Sequence, residues 1–195
     1  AGFDARKVYV KVNFSDVEGS YLPWQFRDNS VVFVGRLSAE KGIETLIKCW
    51  REWGARAPRL LVIGDGPMRQ ALEQASSGCN VQFVGFLDRT QVIEAVARAK
   101  LLVFPSEWYE PFGLSVIEAM SVGTPVAVSR IAGLPDLIGG GKCGVLFYPS
   151  SVADMLRSLS KVWGDEKTLI SCSQGALEMY NTHYNADANY RAIMK

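Results

Sequence analysis

Glu110 and Glu118 stand eight positions apart in the run Glu110-Pro111-Phe112-Gly113-Leu114-Ser115-Val116-Ile117-Glu118. Pro111 and Gly113 break the chain just ahead of an apolar stretch, so a helix is expected to start near Gly113 with one acid before it and one inside it. A helix N-terminus presents backbone N–H groups and the positive end of the helix dipole, which together can hold a pyrophosphate. The flanking carboxylates could then accept hydrogen bonds from sugar hydroxyls. Glu118 falls about five residues into that helix, or ~7.5 Å along its axis, close to the span from a pyrophosphate to the ribose of the same nucleotide. Its neighbours Val116, Ile117, Ala119 and Met120 are apolar, and a carboxylate in such a stretch needs partners. The plainer readings are a Glu110 that only complements the helix dipole and a Glu118 that is solvated.

A second set of candidates lies in Gly35-Arg36-Leu37-Ser38-Ala39-Glu40-Lys41-Gly42. Arg36 could grip phosphate through two parallel hydrogen bonds, with Lys41 as a second point charge. If Ser38 caps a helix, Lys41 takes the third helical position, where a capping box would place Glu or Gln. A cation there opposes the dipole by about 0.3–1 kcal/mol unless an anion sits nearby. The alternative is two solvated cations, with Glu40 partly cancelling Lys41. Gly64-Asp65-Gly66-Pro67 reads as a tight turn into a helix, Pro67 suiting the first helical position. Its glycines would let backbone approach a ligand, or simply make an ordinary turn. It lacks the third glycine of the dinucleotide fingerprint, which counts against a dehydrogenase.

These residues need a scaffold, and the pattern supplies one. From Val31 onward short apolar runs alternate with amphipathic ones, the form of repeated βα units on a parallel sheet. The expected strands are Val31–Val34, Leu60–Ile63, Val81–Val84, Leu101–Phe104, Val126–Val128 and Gly144–Phe147. Most are apolar throughout, as strands covered on both faces should be. Helices are expected over about 40–53, 67–76, 89–98, 114–122, 134–138, 151–163, 166–180 and 186–194. Gly35-Arg36, Gly64 to Pro67, Gly85-Phe86-Leu87 and Pro105 to Gly113 each follow a strand, and open α/β sheets bind ligands at that end. Residues 1–30, with one apolar run at Val8–Val12 and then a polar stretch, read as a linker.

Composition narrows the function classes. The 195 residues are 48% hydrophobic and 21% charged, within the range of an ordinary globular protein. The 21 basic and 20 acidic residues give a net charge of +1, so no general field draws nucleic acid or an anionic membrane. Cys49, Cys79, Cys143 and Cys172 are widely spaced, which argues against a zinc site and for a reducing compartment. No apolar run approaches the roughly 18 residues of a membrane span, and no signal peptide is legible. His183 is the only histidine, which excludes a histidine triad or a multi-histidine metal site within the chain. No Asp-x-Asp pair occurs, so no metal or other cofactor is expected. Arg36, Lys41 and the helix N-terminus would then stabilise a departing diphosphate. The chain starts at Ala1 and is read as a fragment.

The ordered set Gly35-Arg36 with Lys41-Gly42, Gly64-x-Gly66-Pro67, Val81-x-Phe83-x-Gly85, Glu110-Pro111-Phe112-Gly113 with Glu118, and Gly123-Thr124-Pro125-Val126 resembles the family-4 glycosyltransferases, retaining enzymes of the two-domain GT-B fold. Each motif is modest alone, but their order across about residues 31–147 is specific. The resemblance implies a Rossmann-like three-layer α/β/α sandwich with about six parallel strands, the C-terminal half of a GT-B fold. It implies a donor domain over residues 31–165 and final helices over 166–195 that pack toward an absent N-terminal acceptor domain. Asn13-Phe14 resembles the hinge into this half. Arg36 and Lys41 are implied at the donor diphosphate, Glu118 at the ribose and Glu110 at the donor sugar, so that Glu110, Arg36 and Lys41 act at the reacting end. Phe112, Gly113 and Leu114 would supply backbone to sugar and phosphate, Gly35, Gly64 and Gly66 would line the site, and backbone near Phe86 and Leu87 would read the base. Ala132-Gly133-Leu134-Pro135-Asp136 departs from the family, which often has two glycines and a glutamate there.

Such a half would bind a nucleotide-diphosphate sugar without metal and be poor at transfer alone, its acceptor (a sugar, a lipid-linked glycan or another group) being held by the absent domain. The implied location is cytoplasmic, with contact to the inner face of a membrane only through that domain. Two other readings stand beside it. One is a non-catalytic Rossmann-like module that binds a nucleotide or a partner; the other is a sugar epimerase or phosphorylase of similar architecture.

Overall fold

The computed structural model describes residues 13–16, 21–110 and 112–194. The Val8–Val12 run and Pro111 lie outside the described residues. Six parallel strands form one sheet: β1 (Asp28–Val34), β2 (Arg59–Ile63), β3 (Val81–Gly85), β4 (Ala99–Phe104), β5 (Val126–Ser129) and β6 (Gly144–Phe147). Their spatial order is β3-β2-β1-β4-β5-β6, so the direction of strand progression reverses between β1 and β4. A crevice between the loops leaving these two strands is where such sheets take ligands.

Alternate strand residues feed two cores, which explains strands that are apolar on both faces. Val32, Leu102, Val126 and Val128 point to one side, against α3 (Arg89–Arg98), α4 (Leu114–Ser121) and α5 (Leu134–Leu137). Val31, Phe33, Leu101 and Ala127 point to the other, against α1 (Ile43–Trp53), α2 (Arg69–Ala75) and α6 (Val152–Trp163). α7 (Glu166–Met179) lies along both cores, Leu169 entering the second and Ala176 the first. A π-helical turn (Tyr180–Tyr184) then puts Tyr180 and Tyr184 into the first core before α8 (Ala186–Ile193). The result is the expected Rossmann-like α/β/α sandwich.

All six expected strands are present, but β1 and β4 begin earlier than their apolar runs. Residues 21–30, polar in sequence, carry a 3-10 turn at Trp24–Phe26 and the first residues of β1. Arg27 is only 6% exposed. It donates to the Ala99 carbonyl at 3.1 Å, Thr124 Oγ1 at 2.7 Å and the Val122 carbonyl at 2.8 Å, joining the entrances of β1, β4 and β5. Burial lowers its pKa to about 10, still far above neutrality. Thr124 passes the bond on by donating to the Val96 carbonyl at 2.8 Å, which gives the Gly123-Thr124-Pro125 motif a structural role.

Ser38 does not cap an α-helix, contrary to the expectation from sequence. Ser38 precedes a 3-10 turn, Ala39–Lys41, and makes no capping bond. Gly42 follows with φ 65° and ψ 18°, and α1 starts at Ile43. A Cβ on Gly42 would lie 1.9 Å from the Pro105 carbonyl oxygen, so this loop is pressed directly onto the loop leaving β4. Lys41 is therefore not in the first turn of α1 and does not oppose its dipole from the third helical position.

Candidate functional site

The β1 and β4 loops meet at the reversal in strand order. The Glu107 N–H donates to the Glu40 carbonyl at 2.9 Å, and Thr45 of α1 donates to the Glu107 carboxylate. Between these anchors Lys41 Nζ forms an ion pair with Glu110 and lies 5.8 Å from the centroid of the Phe104 ring. Ser106, only 1% exposed, places its Oγ 3.1 Å from Glu110 Oε1 and 3.2 Å from the Glu40 and Trp108 carbonyls. Its single proton serves one of these acceptors at a time. Glu40 does not cancel Lys41 by pairing with it: it accepts from Ser38 at 2.5 Å, and the lysine's partner is 69 positions downstream.

A cleft of about 340 Å³ opens at the ends of β1, β2 and β3. Gly35, Arg36, Gly64, Phe86 and Leu87 line it. Phe86 is 83% exposed, an apolar face without protein cover. The glycines of the second turn answer to the protein's own backbone. Gly64 has φ 129°, and its Cβ would lie 2.0 Å from the Gly35 carbonyl oxygen; that of Gly66 would lie 2.5 Å from the Leu37 carbonyl oxygen. Met68 N–H donates to that same carbonyl at 3.1 Å. Gly66 thus packs two loops together and is not part of the cleft lining.

Gly113 is the residue before α4, and a Cβ on it would press on Val116 at 3.1 Å and Leu134 at 3.3 Å. Phe112 packs edge-on against Tyr184 with ring centroids 6.5 Å apart, while Leu114 is 52% exposed. Glu118, in the middle of α4, has a half-buried side chain whose partner is Arg89 Nε at 3.3 Å. Burial holds its carboxyl above the usual carboxylate range, against the pull of Arg89. Ser106 and Arg89 were not singled out by their sequence. Arg89 reaches Glu118, 29 positions away, and Ser106 reaches Glu40, 66 positions away, besides Glu110 four positions on; no local spacing encodes the long-range partners.

The domain is a Rossmann-like α/β fold with Lys41, Glu107 and Glu110 held together where its strand order reverses. The chain belongs to the group 1 glycosyl transferases, whose family model matches residues 22–179. It is 39% identical over 141 residues to a sulfoquinovosyl transferase of Arabidopsis thaliana, covering 71% of this chain and 27% of that protein. The sucrose-phosphate synthase of Thermosynechococcus elongatus superposes with a TM-score of 0.79 at 26% identity, over 93% of this chain and 49% of that one. Anabaena HepE, solved in complex with UDP, superposes with a TM-score of 0.75 at 22% identity, over 86% of this chain and 48% of that one. The chain therefore spans about a quarter of the curated relative and half of the solved ones. Among the described residues no helix is long and apolar enough to cross a membrane.

Proposed function

We propose that this chain is the donor-binding half of a retaining, metal-independent glycosyltransferase of family 4. The observation that carries this reading is the Lys41–Glu110 ion pair at the strand-order reversal, on the same sheet end as the cleft lined by Gly35, Arg36, Gly64, Phe86 and Leu87. Arg36 and Lys41 bind the donor diphosphate, where two cations do the work a divalent ion does elsewhere. The base enters the cleft against Phe86 and Leu87, and Glu118 accepts from the ribose hydroxyls. Phe112, Gly113 and Leu114 bring backbone at the start of α4 to sugar and phosphate. Glu110, already held by Lys41 and Ser106, accepts from a donor-sugar hydroxyl; a carboxylate committed to a lysine is suited to that more than to proton transfer.

In the reaction, the acceptor oxygen bonds to the anomeric carbon as its bond to the diphosphate breaks. The acceptor proton goes to the departing diphosphate, and configuration is retained. The acceptor is held by an N-terminal domain of the whole protein. We place the protein in the cytoplasm, since Cys49, Cys79, Cys143 and Cys172 are free thiols and suit a reducing compartment. Calorimetric titration with UDP, ADP and GDP in the presence of EDTA tests the reading. We expect saturable binding of one of them, weakened about tenfold or more by Lys41→Ala, as loss of a charge-assisted hydrogen bond implies. Absence of binding by all three, or a Lys41→Ala chain that binds as tightly, would overturn it.

A further inference from the structure

Arg89, the first residue of α3, sends its guanidinium in two directions. Its Nε lies 3.3 Å from Glu118 Oε1 on α4. Its Nη2 donates to Ser15 Oγ at 3.0 Å and to the Asp16 carbonyl at 3.2 Å. Neither end is loose. Ser15 is 5% exposed; its N–H donates to the Tyr184 carbonyl at 3.1 Å and its own carbonyl accepts from Tyr180 Oη at 2.8 Å. The start of α3 is fixed by a capping box, Gln91 N–H donating to Asp88 at 2.9 Å and Asp88 N–H to Gln91 at 3.2 Å. One fork thus links the segment before the domain, the first turn of α3 and the acid of α4.

We propose that Arg89 is a positioning residue for donor binding, holding the Glu118 carboxylate in register for the ribose hydroxyls and tying it to residues 15 and 16. This rests on the assignment of Glu118 to the ribose made above. A carboxylate has about four acceptor positions on its two oxygens, and Arg89 reaches only Oε1, so the guanidinium and two hydroxyls can be accommodated together. Without Arg89 the half-buried acid of α4 loses its ion-pair partner and with it a fixed rotamer. Ordering the acid before the ligand arrives lowers the cost of binding. Because Arg89 is itself largely exposed, its worth is moderate.

The test compares UDP with 2′,3′-dideoxy-UDP by calorimetry on this chain, or the matching pair of ADP or GDP where the titration above favours one of those. Arg89→Gln is expected to weaken UDP about threefold, to leave the dideoxy form unchanged, and to add nothing in a Glu118→Gln background. A loss of equal size for both nucleotides, or no loss for either, would overturn the role of Arg89. If Glu118→Gln weakens UDP while Arg89→Gln does not, this inference fails and the proposed function stands. If Glu118→Gln leaves UDP untouched, the ribose assignment fails and takes this inference with it.

Discussion

Lys41 and Glu118 stand in opposite electrostatic situations. Lys41 is paired with Glu110, so binding a diphosphate requires the ammonium to share or exchange an anion, and the loss on Lys41→Ala measures what remains after that exchange. Glu118 presents the opposite situation, a carboxyl whose burial outweighs its ion pair and raises its pKa. A carboxyl raised in the folded state favours the protonated form there; its contribution to stability is full below the unfolded pKa and is lost as pH rises through the folded one. At neutral pH the fold therefore carries the cost of the ionised group. We expect Glu118→Gln to raise the Tm at pH 7 and to lose that advantage below about pH 4, where the glutamate is protonated in both states. The same variant should weaken nucleotide binding, a trade of stability against function at one side chain. Paired thermal melts at the two pH values and a UDP titration check both halves. Glu118 was legible because a carboxylate stood among apolar neighbours; Arg89 was not, because its partners lie in other elements.

The βα units themselves were legible because a sheet covered on both faces makes each strand a continuous apolar run, and all six runs became strands. What the pattern did not encode was the contact between loops. Gly42 and Gly140 share one backbone conformation, φ 65° and ψ 18°, yet a Cβ on Gly42 would strike the Pro105 carbonyl at 1.9 Å while Gly140 has nothing within 4 Å. Gly140→Ala should cost about 1 kcal/mol, the left-handed penalty alone. Gly42→Ala should cost about 2–4 kcal/mol and weaken nucleotide binding, because the β1 and β4 loops must part and Lys41 moves with them. Urea unfolding of the two variants separates strain from collision. Arg27 makes a similar point at the other end of the sheet. Replacing it with Met leaves the Ala99 and Val122 carbonyls without their donor, and we expect a loss of about 3 kcal/mol, read by the same unfolding curves. A polar segment before the first apolar strand gave no sign of this, since Arg27 is satisfied by backbone carbonyls and a hydroxyl rather than by an acid.

At the scale of the whole molecule, the sheet order brings the β1 and β4 loops together at the strand-order reversal. Phe86, Trp108, Tyr109 and Leu114 remain exposed around the carboxyl ends of the strands, where the acceptor domain of a two-domain enzyme would face them. The ordered motifs from Gly35 to Val126 made the family legible, while nothing in the side-chain letters identified the donor's base or the acceptor. On the proposed function, the diphosphate crosses the strand-order reversal between the β1 and β4 loops. A crystal structure of this chain with UDP measures it directly. We expect the phosphates within hydrogen-bond distance of Arg36 and Lys41, the ribose hydroxyls on Glu118 and the base beside Phe86 and Leu87. A nucleotide bound elsewhere, or one whose phosphates touch neither Arg36 nor Lys41, would contradict it.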